Sequence, residues 1–281
     1  MLNAYLPLIF TLLAQNSPQS AYTNFMPSVY THFLTARKTF EGLPSHIQDK
    51  IKPHLAMYYF GAQGADFCFF YKFLRPKKGN FGSFLHRQGA HQTFCVLQAF
   101  AKHSPDLYAY AAGYIAHYAA DCVLHPFIYA AAGNSILTHS RIESGLDYLY
   151  GKCFSKSATE DYKRYFRPKL TKAEKQNLFL LYAAIATECG FPPLTKPAFF
   201  RAISIFNAYL PLSFTFLSTD NPSLLRRAFG TDYTAYAQQL LLSICTRTRA
   251  LTEEFHLAVQ TDKTLSPARF GNSFLTGKQV N

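Results

Sequence analysis

The chain has 281 residues, 49% of them hydrophobic and 16% charged, with 28 Lys and Arg against 16 Asp and Glu, for a formal net charge of +12. It is too apolar to be disordered, and without a sustained period it is not collagen-like, a coiled coil or a solenoid. The basic excess suits anionic partners (nucleic acid, phospholipid headgroups, phosphate-bearing substrates) as well as it suits plain solubility.

In chain order, residues 1–25 read as an N-terminal extension and 26–281 as a single domain. Residues 2–14 are apolar like the core of a secretory signal, but no Lys or Arg precedes them and Pro7 interrupts the run. Cytoplasmic retention is therefore favoured over secretion. Residues 3–13 reappear at 207–217 with nine of eleven positions identical, and no function attaches to the repeat. Pro27 in a first turn predicts a helix over 28–40. A loop is expected over 61–82. An Ala-rich helix follows over 106–125, opened by Ser104-Pro105-Asp106. Another spans 139–150 and closes at Gly151. Loop 151–172 leads to helices over 177–188, 199–210 and 234–259. Strand alternation is weak throughout, so the fold expected is all-α. The six cysteines form no CxxC pair and read as reduced core residues.

Residues 106–132 are long enough to span a bilayer, but His117, Asp121 and His125 lie inside the run, and lipid burial of such groups is costly. A buried core helix with a polar stripe is the better reading. At about 100° per residue the three side chains fall within an arc of roughly 80°. His117 and His125 are about 12 Å apart along the axis, too far for one ion with bonds near 2.0 Å. The stripe thus suggests more than one metal, with Asp121 placed to bridge, as in two-metal phosphoester hydrolysis.

A second stripe follows: His139, Glu143 and Asp147. Alone it reads as a solvated polar face, but His139 and Glu143 are one turn apart and could chelate an ion together with His125. Upstream, Asp66 follows two glycines in GAQGAD, His86 competes with His91 for a role, and His32 sits on the first helix. Lys72, Arg75, Lys77 and Lys78 lie between two of these candidates and either rim a cleft, making peripheral membrane contact, or form a solvated loop.

GAQGAD, AHYAADCVLHP and HSRIESGLD, in that order, resemble the bacterial zinc-dependent phospholipase C family over roughly 26–150. The resemblance implies a phospholipase C/P1 nuclease-type all-α fold with zinc, two or three ions, in a cleft. It implies that Asp66, His86, His117 and Asp121 hold one zinc, that His125, His139 and Glu143 hold a second, and that Asp121 bridges to a third bound also by His32. It implies cleavage of a phospholipid by a zinc-activated water, with Asp66 orienting or deprotonating that water. In secreted members the third zinc is also held by the amino terminus of a processed chain beginning with Trp. This sequence has no Trp and 31 residues before His32; a start at Met26 with that Met removed would bring the Pro27 terminus near His32. A P1/S1-like nuclease on the same zinc chemistry, or a zinc-binding protein with little turnover, are the rival readings. Nucleic acid is the less favoured partner, and no signal sets the oligomeric state.

Overall fold

The computed structural model describes residues 29–72, 79–154, 169–212 and 220–280. The 1–25 extension, Pro27, the first copy of the repeat and the end of the second, the basic residues Arg75, Lys77 and Lys78, and most of the 151–172 stretch lie outside the described residues. The described residues are helical, with no strand among them; an isolated bridge pairs Asn272 with Gln279.

α1 (Val29–Glu41), α2 (Ser45–Ile51) and α3 (Leu55–Gly61) lead to a 3-10 turn (Asp66–Phe70). Next come α4 (Phe81–Arg87), α5 (Ala90–Ala101), the long α6 (Pro105–Ala132) and α7 (Ile136–Phe154). α8 (Lys172–Glu188), α9 (Lys196–Leu212), α10 (Pro222–Phe229), α11 (Tyr233–Thr261) and the short α12 (Pro267–Phe270) complete the chain, before a C-terminal hairpin over 271–280.

α6 is the axis of the molecule. From Leu107 to Cys122 every residue is buried, most of them Ala, Tyr, Ile and Leu, so this stretch is covered on all sides by helices that include α1, α3, α5, α7 and α11. No described helix is long and apolar enough to cross a membrane.

Several expected boundaries shift. α6 does not end at His125 but continues past Pro126 to Ala132. Pro126 has no N–H for the Cys122 carbonyl, and the backbone of Gly277 packs against that carbonyl instead. α7 runs through Gly151 to Phe154. α8 starts five residues earlier than expected, at Lys172, where Thr171 and Glu174 form a reciprocal capping box. The expected 61–82 loop contains the 3-10 turn that carries Asp66. The cysteines are free as expected, but Cys95 and Cys153 are exposed rather than in the core.

Candidate metal centre

Five elements deliver the eight candidate residues to one place. His32 comes from α1, Asp66 from the 3-10 turn, His86 from the last turn of α4, the His117–Asp121–His125 stripe from α6, and His139 with Glu143 from α7. None is more than 8% exposed. His91, the competitor of His86, faces elsewhere and contacts the Leu265 carbonyl.

The sequence builds this locally. Gly64 has φ +56, and a Cβ there would overlap the His117 ring. Only glycine takes this conformation at no steric cost and lets the turn lie on the imidazole, which sets Asp66 beside His117. Asp147, the third member of the α7 stripe, is buried but does not join the centre. Its carboxylate accepts the Tyr30 and Thr31 N–H groups at 3.1 and 2.8 Å and the Thr31 hydroxyl at 2.6 Å. It thus satisfies amides at the start of α1 and fixes the turn that carries His32. The solvated-face reading of this stripe does not hold: His139, Glu143 and Asp147 are all buried.

Three groups of side chains place their donor atoms close enough to hold a cation: Asp66, His86 and His117; His125, His139 and Glu143; and His32, His117 and Asp121. In the first, Asp66 Oδ1 is 3.1 Å from His86 Nε2 and 3.4 Å from His117 Nε2, and the two histidine nitrogens are 3.4 Å apart. In the second, Glu143 Oε1 is 3.3 Å from His125 Nε2 and 3.1 Å from His139 Nε2. Asp121 spans the rest: Oδ1 is 3.4 Å from His32 Nε2, and Oδ2 is 3.3 Å from His117 Nε2 and 3.6 Å from His86 Nε2. His117 and His125 fall in separate groups, in keeping with their axial separation along α6.

These distances bear on zinc. A tetrahedral ion with bonds of about 2.0–2.1 Å has donor–donor edges of about 3.3 Å, and the Asp66, His86 and His117 atoms form such a face. The tautomers agree. Carbonyls only accept, so the contacts of His86 Nδ1 with Gly82 O and of His125 Nδ1 with Phe274 O, each 2.8 Å, put the proton on Nδ1. In a neutral ring this leaves the Nε2 lone pair facing the centre. There His86 Nε2 meets a carboxylate oxygen and another imidazole nitrogen, which only a proton or a cation between them makes favourable. Asp121 Oδ2 and Glu143 Oε2 are likewise buried without a hydrogen-bond partner. Imidazole and carboxylate with no thiolate is a donor set that suits zinc.

Burial sets the protonation of these side chains. It lowers His32 from 6.5 to about 3, His117 well below its ordinary value and His86 more modestly, so all three offer neutral imidazoles. Desolvation raises Asp66 well above the carboxylate range and Asp121 to about 7; both need positive charge beside them to ionise. The other end of the centre behaves differently. Burial opposes charge on His125, but Asp121 and Glu143 overcome it and raise the ring to about 9. Burial also opposes ionisation of Glu143, yet His139 and His125 hold it down at about 2. An ion there must displace a proton from His125.

Three contributors were not foreseen. Phe274 supplies the carbonyl to His125, and its ring packs 5.1 Å from His86 and 5.7 Å from His117. Tyr129, one turn beyond His125 on α6, lies 4.5 Å from the His139 ring. Arg87, next to His86, lines a cavity that reaches His139. The i+4 spacing from His125 was a signal for Tyr129, and adjacency to His86 was one for Arg87. A backbone carbonyl 149 residues away has none.

An all-helical domain whose buried histidines and carboxylates cluster with metal-ligand spacing is of the metal-dependent hydrolase class. The zinc-dependent phospholipase C family matches residues 31–190, more than half of the chain, and the protein belongs to that family. No curated protein and no solved structure matches it. The family match covers every candidate ligand and stops short of the C-terminal hairpin that carries Phe274.

Proposed function

We propose that the protein is a phospholipase C that cleaves a phospholipid on the glycerol side of its phosphate. The observation that carries the reading is the tetrahedral-face spacing of Asp66, His86 and His117 beside a second cluster one helical stripe away. Asp66, His86 and His117 would hold one zinc, and His125, His139 and Glu143 another. Asp121 would connect the first to a third held with His32. Zinc, when bound, lowers the pKa of a coordinated water toward 7 and offsets charge on the phosphoryl oxygens.

The chain's own residues do the rest. Asp66 turns Oδ1 to the two histidines, which leaves its other oxygen to orient the water and take its proton, and burial favours the protonated acid that results. The water oxygen bonds to phosphorus in line as the bond from phosphorus to the glycerol oxygen breaks. The proton passes to the departing oxygen, giving diacylglycerol and a phosphorylated headgroup. No covalent intermediate is needed.

The nuclease alternative would want aromatic platforms for bases. The cavity beside His139 offers one tyrosine, Tyr129, whose ring already packs against His139 and His125. Zinc-loaded protein should therefore release diacylglycerol from mixed phospholipid micelles, followed by phosphorus NMR of the headgroup product, and should leave single-stranded DNA intact. Mononucleotide release with no lipid turnover would reverse the assignment.

A further inference from the structure

A cavity of about 350 Å³ opens between the end of α6 and the start of α7 and reaches the metal centre at His139. It is at the small end of ligand sites, which run from about 300 to 1,000 Å³. That is room for a headgroup and too little for a pair of acyl chains. Its wall includes Arg87, Tyr129, Asn134, Ser135, His139 and Leu275.

Among the described lining residues there is one formal charge, that of Arg87, and no carboxylate. Arg87 has a partner of its own and brings to the wall a guanidinium that stays charged at any working pH. α7, nineteen residues long, begins in the wall and turns the amide end of its dipole toward the space. His139 forms the inner wall of the cavity and joins it to the metal centre, with its Nε2 3.1 Å from Glu143 Oε1. Asn134 is exposed and can hydrogen-bond a polar group, and the Ser135 hydroxyl, whose oxygen accepts from the Thr138 N–H and hydroxyl, keeps its own proton to donate. Among the described lining residues a quaternary ammonium would find the Tyr129 ring to favour it, and Arg87 against it.

We infer that this cavity is the headgroup subsite and that it selects phospholipids whose headgroup is itself anionic, with Arg87 as the specificity-determining residue. The inference rests on the proposed lipase reading. It deepens that reading by assigning the side of the substrate that meets His139 and the sign of its charge. A second phosphate or a carboxylate on the headgroup meets Arg87 at the start of α7, where the Thr138 amide is already held by the Ser135 hydroxyl, while the scissile phosphate lies at the zinc ligands.

The test has a turnover arm and a binding arm, both on full-length, zinc-loaded protein. Turnover compares dihexanoyl phosphatidylinositol 4-phosphate with dihexanoyl phosphatidylcholine, both as dissolved monomers. The expected kcat/KM is at least about tenfold higher for the inositol lipid, and Arg87→Ala cuts that ratio by about tenfold, as loss of a charge-assisted contact should. Binding is measured by calorimetry with inositol 1,4-bisphosphate, phosphocholine and inorganic phosphate. The bisphosphate should bind tighter than the other two, and Arg87→Ala should remove the difference. Metal content and melting temperature of Arg87→Ala report whether the fold is intact, and Arg87→Lys should restore part of the selectivity.

The arms separate the two claims. Turnover of both lipids at equal rates, or faster turnover of the choline lipid, overturns the subsite while leaving the lipase reading standing. No turnover of either lipid, together with Arg87-dependent bisphosphate binding, overturns the lipase reading and keeps the anionic subsite. Binding of bisphosphate no tighter than inorganic phosphate, unaffected by Arg87→Ala, overturns the subsite whatever the turnover.

Discussion

His125 on α6 donates its Nδ1 proton to the backbone carbonyl of Phe274, 2.8 Å away and 149 residues later in the chain. The hairpin over 271–280 is thereby an outer layer of the metal centre. It is fastened by the Asn272 N–H to the Tyr118 hydroxyl at 3.0 Å and by Gly277, whose φ of +64 and contact with the Cys122 carbonyl leave no room for a side chain. Gly277→Val should displace the hairpin and free the His125 ring. Loss of such an orienting partner typically lowers metal affinity about 10–100-fold. Competition titration with a zinc-binding dye checks this; unchanged affinity would show that Phe274 has no part in the centre.

Asp121 reaches His32 with one oxygen and His86 and His117 with the other, whereas Glu143 touches only His125 and His139. Asp121→Ala should therefore cost more than one zinc equivalent and Glu143→Ala only one. Elemental analysis of the two variants, with circular dichroism to verify folding, decides the matter. Equal losses would contradict the bridging role.

Gly64→Ala forces a side chain into left-handed backbone and into the His117 ring. The backbone alone costs about 1–3 kcal/mol, and the overlap adds to it. Urea unfolding should show a destabilisation of at least that size, together with weaker zinc binding. A neutral variant would mean that the turn carrying Asp66 is set by something else.

Asp147 gives a pH dependence. Burial raises it from 3.8 to about 7, against the hydrogen bonds from Thr31 and Tyr30 and with the Glu143 charge adding to the rise. A folded value above the unfolded one means the native state holds the proton more tightly. The associated stability is full below about pH 4, falls as pH rises, and is gone above about 7. The difference in melting temperature between chelator-treated wild type and Asp147→Asn should follow that course; a difference that does not change with pH would contradict it. Asp147→Ala, which strands two buried amides, should cost about 1–3 kcal/mol and loosen metal binding at His32.

The helical spacing made the centre legible. His117, Asp121 and His125 recur every four residues inside an apolar helix, and His139 and Glu143 repeat the interval, so their shared faces follow from 3.6 residues per turn. Asp66 was marked by its glycines. Asp147 kept the same interval yet serves α1, because sequence spacing says which face a residue is on and not which element lies opposite. The separations that put Asp66, His86 and His117 on one tetrahedral face are tertiary and invisible in the chain, as is the Phe274 carbonyl. Gly151 read as a helix stop because local propensity favours ending there; α7 nonetheless runs through it to Phe154.

Metal content tests the account most directly. Protein purified without chelators or affinity metals, analysed by inductively coupled plasma mass spectrometry, should carry at least two zinc equivalents per chain, the Asp66–His86–His117 and His125–His139–Glu143 clusters being filled. Protein that carries no zinc after gentle purification, and rebinds none tightly, would contradict it.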